Sequence, residues 1–189
     1  MSTLIRATVT GAKPDTKLRE LQTSFNKNSV QSDLEHLEPY GFTSEPFVDG
    51  QTDALNLYFD EERNHGVVLT VADRRYRITN MRQGEVAIYD DKGRHVYLKR
   101  DGIEVDGVSS PITIKTSGKV TINAAGNCEI TAPTVTINGN VTINGKVTTS
   151  STISASGNIS SQGDVSGGGI SLRGHTHTGD SGGSTSTPK

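Results

Sequence analysis

The stretch Val135–Gly169 reads VTINGN VTINGK VTTSST ISASGN ISSQGD VSGGG. Val135, Val141, Val147, Ile153, Ile159 and Val165 recur every six residues. Gly139, Gly145, Gly157 and Gly163 hold a second phase of the same period, with Ser151 in the remaining slot. Self-similarity at a fixed period marks a solenoid or an array. Six is even, so the two-residue alternation of a β-strand carries over from one repeat to the next. The odd positions are Val, Ile, Gly or Ala, apart from Thr149, Ser151 and Ser161; the even positions from Thr134 to Ser166 are Thr, Asn, Lys, Ser, Gln or Asp. One face of the repeat is therefore small and apolar and the other polar.

Globular strands run to about 3–10 residues, so the chain must turn within the repeat, at its Gly and Asn-Gly positions. Two architectures keep the parity. One chain can coil as a left-handed β-helix with three hexapeptides per turn, or three chains can wind together as a triangular prism. The six hexapeptides would give one chain only two coils, whereas repeat folds need at least about three units. The reading favours three chains, whose association covers the apolar stripe at roughly 25 cal/mol per Å². A disordered Gly/Ser/Thr tail would not keep the parity, although residues 178–189 alone fit such a tail equally well. A looser stretch precedes the repeat, in which Ile112, Ile114, Val120, Ile122, Cys128 and Ile130 share the even phase. The frame slips at Ala132-Pro133, where proline suggests a corner or an edge.

Composition divides the chain at the same place. Of its 189 residues 31% are hydrophobic and 5% aromatic, there is no Trp, and the net charge is −2. All nine aromatics precede residue 98, while fifteen of the 21 glycines follow residue 100. The near-neutral charge argues against general nucleic-acid binding, which needs a basic patch. The single Cys128 excludes an internal disulfide framework and a Cys-based zinc cluster. No apolar run is long enough to span a bilayer, and MSTLIRATVTGAK lacks a signal-peptide pattern. The expectation is a protein made soluble in the cytoplasm.

The front half carries strand signals at short intervals. Ala54–Phe59, Gly66–Val71, Arg75–Thr79, Glu85–Tyr89 and His95–Leu98 read as strands, with Asp90–Gly93 as a hairpin loop. Residues 1–35 show weak periodicity; Leu18–Phe25 reads as a helical turn or part of a strand, and Leu34–Phe47 as a loop with Pro39, Gly41 and Pro46 as breakers. Such spacing suggests a small antiparallel barrel. His65 and His95 sit at loop edges, with no second ligand at a metal-like spacing. No nucleophile–base constellation and no phosphate-binding glycine loop stands out.

Gly174-His175-Thr176-His177 is the sharpest local motif. In an extended chain His175 and His177 point to one face. Two imidazoles per chain are a poor site, but a threefold assembly brings six around one axis. Six nitrogens suit an octahedral first-row ion, with Fe, Ni, Cu and Zn all compatible with imidazole. Such a filled site leaves no room for substrate and would be structural. Gly179-Asp-Ser-Gly-Gly183 matches the nucleophile loop of chymotrypsin-like proteases, but the back half lacks the core of that double barrel. Ser181 fits a Gly-rich turn that folds the terminus over.

Two blocks of residues together resemble a known family. They are Glu38-Pro-Tyr-Gly-Phe42, His65-Gly-Val-Val-Leu69, Asp73-Arg-Arg-Tyr-Arg77 and Gly84–Gly93, followed by His175-Thr-His177 with Gly179–Gly183 and the Ser/Thr/Pro ending. Their order is similar to that of the baseplate assembly protein V family, the spike proteins of contractile phage tails, in its Mu-type branch. The resemblance implies an all-β chain: an N-terminal OB-fold-like antiparallel barrel, then a trimeric, intertwined triple-stranded β-helix with a metal-bound tip. It implies one iron ion per trimer, held by His175 and His177 of each of three chains. Calcium or chloride occurs in some family tips and maps to no residue here; Thr178 stands where related spikes can carry a further His. The expected division is 1–33 as an extension that is part of the barrel or packed on it, 34–107 as the OB-fold, 108–169 as the β-helix and 170–189 as the tip. The implied role is that of a non-enzymatic spike in the virion, at the tail baseplate tip. It is assembled in the host cytoplasm, docks to the baseplate hub through the OB-fold, and pierces the host outer membrane when the sheath contracts. A phage-tail-like bacteriocin would use the same part. The competing readings are a receptor-binding trimeric fibre and a hexapeptide-repeat acyltransferase. The first calls for aromatic or charged variety at the tip, the second for more coils and a histidine within them.

Overall fold

Strand β1 (Thr3–Lys13) is long enough to serve two neighbours. Its first half, Thr3–Thr8, pairs antiparallel with β4 (Asp53–Tyr58), and its second half, Thr8–Lys13, with β2 (Glu20–Asn26). The register shifts between Val9 and Gly11, a bulge that bends the strand and lets it close a small barrel. β2 pairs with β3 (Ser29–His36), β3 runs parallel to β5 (Gly66–Ala72), and β5 pairs with β4. The result is a closed five-stranded barrel in the order β1-β2-β3-β5-β4, an OB-like all-β fold. The computed structural model describes residues 2–26, 28–179 and 181–187. Met1, Lys27, Asp180, Pro188 and Lys189 lie outside the described residues, and with them parts of the expected extension and tip. The chain divides into two compact units, Met1–Thr121 and Ile122–Lys189.

The barrel core is small and partly polar. Val9, Leu21, Leu34, Ala54, Tyr58 and Val68 pack together, each almost wholly buried. Asn56 is buried among them and donates from Nδ2 to Thr23 Oγ1 at 2.7 Å and to the Tyr58 hydroxyl at 3.0 Å. Gly66 is required where β5 begins, since a Cβ there would meet Tyr58 Cδ1 at 2.6 Å.

The barrel therefore spans Thr3–Ala72, not 34–107. Residues 1–33 supply β1, β2 and the start of β3. The inward positions of β1, β2 and β3 include Ala7, Thr23 and His36, which are small or polar and dilute the apolar alternation. The expected strand Arg75–Thr79 is absent, because Asp73 Oδ1 accepts from the Arg75 backbone N–H at 3.0 Å and turns the chain there.

Three further strands, β6 (Val86–Tyr89), β7 (His95–Lys99) and β8 (Gly102–Asp106), form a separate antiparallel sheet. The loop between β6 and β7 is the expected hairpin loop, with Gly93 at φ 79°. Beyond β8 the chain changes character. Among the described residues none from 107 to 165 enters a strand, and every side chain from 111 to 170 is exposed. The chain bends at Gly145, Ser151, Gly157 and Gly163, in step with the hexapeptide period. Among the described residues, no helix is long and apolar enough to cross a membrane.

Candidate metal centre

The tip begins with a short hairpin. β9 (Ser166–Gly167) and β10 (Ile170–Ser171) are joined by Gly168 and Gly169, at φ 59° and 82°. Two consecutive positive φ values define the tight turn that suits strand twist, and glycine adopts them without steric cost. Leu172 N donates to Val165 O at 2.8 Å and extends the pairing.

Ser171 then anchors the histidine motif. Its hydroxyl oxygen accepts from Gly174 N at 2.7 Å and Arg173 N at 3.2 Å. Its carbonyl oxygen accepts from His175 N at 3.1 Å and lies 2.8 Å from His175 Nδ1. A carbonyl only accepts, so Nδ1 carries a ring proton and Nε2 is the nitrogen that could ligate a metal. Metal-ligating histidines are oriented in this way, with the second nitrogen donating to a carbonyl.

His177 is held from the other side. Its N–H donates to Thr185 Oγ1 at 2.9 Å and its carbonyl accepts from Thr185 N at 2.8 Å. Thr178 bridges Ser184, Gly179 N donates to Gly183 O, and Gly182 N donates to Gly179 O at 3.1 Å. These bonds bring Ser184 and Thr185 back beside the motif. The rings of His175 and His177 lie edge to face with centroids 5.1 Å apart. His175 is half-buried and His177 exposed.

Ser171 and Thr185 position the histidines and went unread in the sequence. The S-x-x-G-H spacing, in which a serine hydroxyl caps the next turn, was the available signal.

Among the described residues, one group of three candidate ligands lies elsewhere: His95, Glu104 and Asp106, whose ligand atoms lie within 4.8 Å of one another. Here cross-strand pairing brings together what sequence spacing keeps apart. The group is closed by its own bonds. His95 Nε2 lies 2.9 Å from Glu104 Oε1, His95 Nδ1 lies 2.8 Å from the Gly93 carbonyl, and Lys99 Nζ lies 2.6 Å from Glu104 Oε2. The Glu104 hydrogen bond raises the His95 pKa, and Lys99 with His95 lowers that of Glu104. It is an ion-pair cluster on one sheet face.

The comparisons match both parts of this chain. A family model described as "Bacteriophage Mu Gp45, N-terminal" matches residues 6–75, which is the barrel. The baseplate puncturing device gp45 of Escherichia phage Mu is 31% identical over 182 residues, covering 96% of this chain and 86% of that protein. With the barrel matched by the family model and the repeat and tip included in the longer alignment, the chain belongs to the family of the phage Mu baseplate puncturing device gp45.

Proposed function

We propose that three copies of this chain wind together through residues 108–169 as a triple-stranded β-helix, and that the trimer is the membrane-piercing spike of a contractile tail. The chain is a structural component of the tail baseplate and not an enzyme. The observation that carries the trimer is the exposed stripe. Its Val and Ile side chains stand between 42% (Val165) and 78% (Ile114) exposed, with at least one in each hexapeptide from Val135 to Val165. Contiguous apolar surface of that extent marks an interaction surface. The glycine phase supports the same reading. Gly139, Gly145 and Gly157 have no positive φ, and a Cβ at each meets nothing within 4 Å. Nothing within one chain requires glycine there, whereas close approach of neighbouring backbones at an axis does.

The tip follows from the trimer. His175 and His177 are two ligands, too few for an octahedral ion, and three copies supply six. The donor set fits iron: imidazole nitrogens, with the Ser171 carbonyl engaging Nδ1 of His175 and leaving its Nε2 as the ligand atom. When bound, the ion would supply a crosslink among three chain ends. The barrel docks the spike to the baseplate hub, and the polar even-numbered face of the repeat meets the host outer membrane as the sheath contracts.

Immunogold labelling of extended tails with an antibody to residues 170–187 tests this placement. Label at the distal point of the baseplate is expected; label around its periphery, or along the tail, would contradict it.

A further inference from the structure

The sheet β6–β8 has two unlike faces. Cross-strand register places Val86 opposite Leu98, Ile88 opposite Val96, Val96 opposite Val105, and Leu98 opposite Ile103. Paired residues share a face, so these six side chains form one face, and all are aliphatic. They stand exposed, from 38% at Val96 to 74% at Ile103. The opposite face carries His95, Tyr97, Lys99 and Glu104. Those groups are satisfied: Tyr97 donates to Glu85 Oε2 at 2.6 Å, and Glu104 pairs with both His95 and Lys99. Water suits that second face. The first is the kind that a half-buried antiparallel sheet turns to its core, yet among the described residues its six side chains stay exposed, with only Ile88, at one edge, lining a groove shared with Leu37, Phe42 and Leu69.

We infer that the aliphatic face of β6–β8 packs against the same face of two further copies, so that the trimer contact begins at Val86, ahead of the hexapeptide repeat. This rests on the trimer proposed above. The occupant is argued from continuity. The chain leaves β8 at Asp106 and reaches exposed Val108, Ile112, Ile114 and Val120 within the same unit, with the same aliphatic, aromatic-free composition. Gly107 to Ser110 forms the connecting turn, in which Ser110 N donates to Gly107 O at 2.8 Å. A surface that changes neither residue type nor exposure across this turn calls for one covering partner. The barrel, whose core is closed within one chain, then hangs outside the trimer contact and stays free for docking. Residues 86–106 thus belong functionally with the spike shaft.

The test uses the full chain with Cys128→Ser, into which Val96→Cys, Ile103→Cys or Asp101→Cys is introduced singly. Asp101 stands exposed in the turn before β8. Each protein is sized by light scattering and then labelled with a maleimide. Trimers in which Cys at 96 and at 103 label at least about tenfold more slowly than Cys at 101 are expected, since reaction then waits on opening of the interface. Using both positions guards against one variant misfolding. Trimers in which all three positions label equally fast would overturn this inference and leave the trimer standing; such a face would await a different protein. Monomers would overturn the trimer itself, and this inference with it.

Discussion

The Nδ1 atom of His175 lies 2.8 Å from the carbonyl oxygen of Ser171, four residues earlier. That contact links the β9–β10 hairpin to the histidine motif and decides which ring nitrogen is free. The contact folds this part of each chain by itself, while the ligand set proposed for an ion would be complete only among three chains.

Removal of the ligands separates these two layers. His175→Ala with His177→Ala is expected to abolish bound iron, measured by elemental analysis, while light scattering still returns a trimer. In the proposed trimer most of the apolar contact would lie in the repeat, and the ion would tie only its end. A double variant that dissociates would show that the ion, and not the stripe, holds the chains together.

The barrel and the repeat respond differently to core substitutions. Leu21 is almost completely buried in the barrel, and Leu21→Ala is expected to cost about 2–5 kcal/mol in denaturant unfolding, as buried leucine truncations do, with the oligomeric state unchanged. Ile143→Asp sits at an exposed position of the single chain. In a monomer it would fall within about 0.5 kcal/mol of neutral. In the trimer it brings three carboxylates into the apolar contact and should dissociate it. Sedimentation velocity distinguishes the two, and an unchanged Ile143→Asp trimer would refute the assigned facing of the stripe.

Acid should weaken the front half in two steps. Burial lowers the His36 pKa from its ordinary 6.5, and its Nδ1 is buried without a hydrogen-bond partner. Neutral His36 is therefore the folded form, and its contribution holds above pH 6.5 and is lost as pH falls below that value. Glu85 is the second group. The Tyr97 hydroxyl, the backbone N–H groups of Arg82 and Arg100 and the Arg82 side chain hold its pKa down from 4.5 to about 2. Its contribution is complete above pH 4.5 and is lost as pH falls towards 2. Thermal melts between pH 7.5 and 2 should show both windows. His36→Gln should remove the upper one and Tyr97→Phe should shrink the lower one. The raised His95 pKa adds stability as pH falls through the same range, so the test is the difference between the two proteins: a pH profile between 7 and 5 that is the same with and without His36→Gln would contradict the role of His36.

The repeat was the most legible part of the chain, because a six-residue period with one apolar parity leaves its mark on every residue from Val135 to Val165. The tip motif was equally plain. The barrel was harder to place. β4 and β5 carry clear apolar runs, but β1 and β3 present Ala7 and His36 inward, and Asn56 and Thr23 meet in the core. A barrel this narrow is filled by small and hydrogen-bonded side chains, which blur the alternation that marks a strand. The sequences of β6 and β7 mark them as strands, and their spacing places them within the barrel expected over 34–107. Their aliphatic face looks like a core face, and only the closed β1-β2-β3-β5-β4 order shows that the barrel does not need them. The support of His175 by Ser171 and of His177 by Thr185 arises from hairpin geometry, which spacing alone does not convey.

The most direct test of the whole account is the mass and metal content of the purified full chain, by light scattering combined with elemental analysis. A particle of three times the 20.1 kDa chain, with about one iron per three chains as a six-imidazole site requires, is the predicted result. A metal-free monomer would contradict both the intertwined shaft and the tip site.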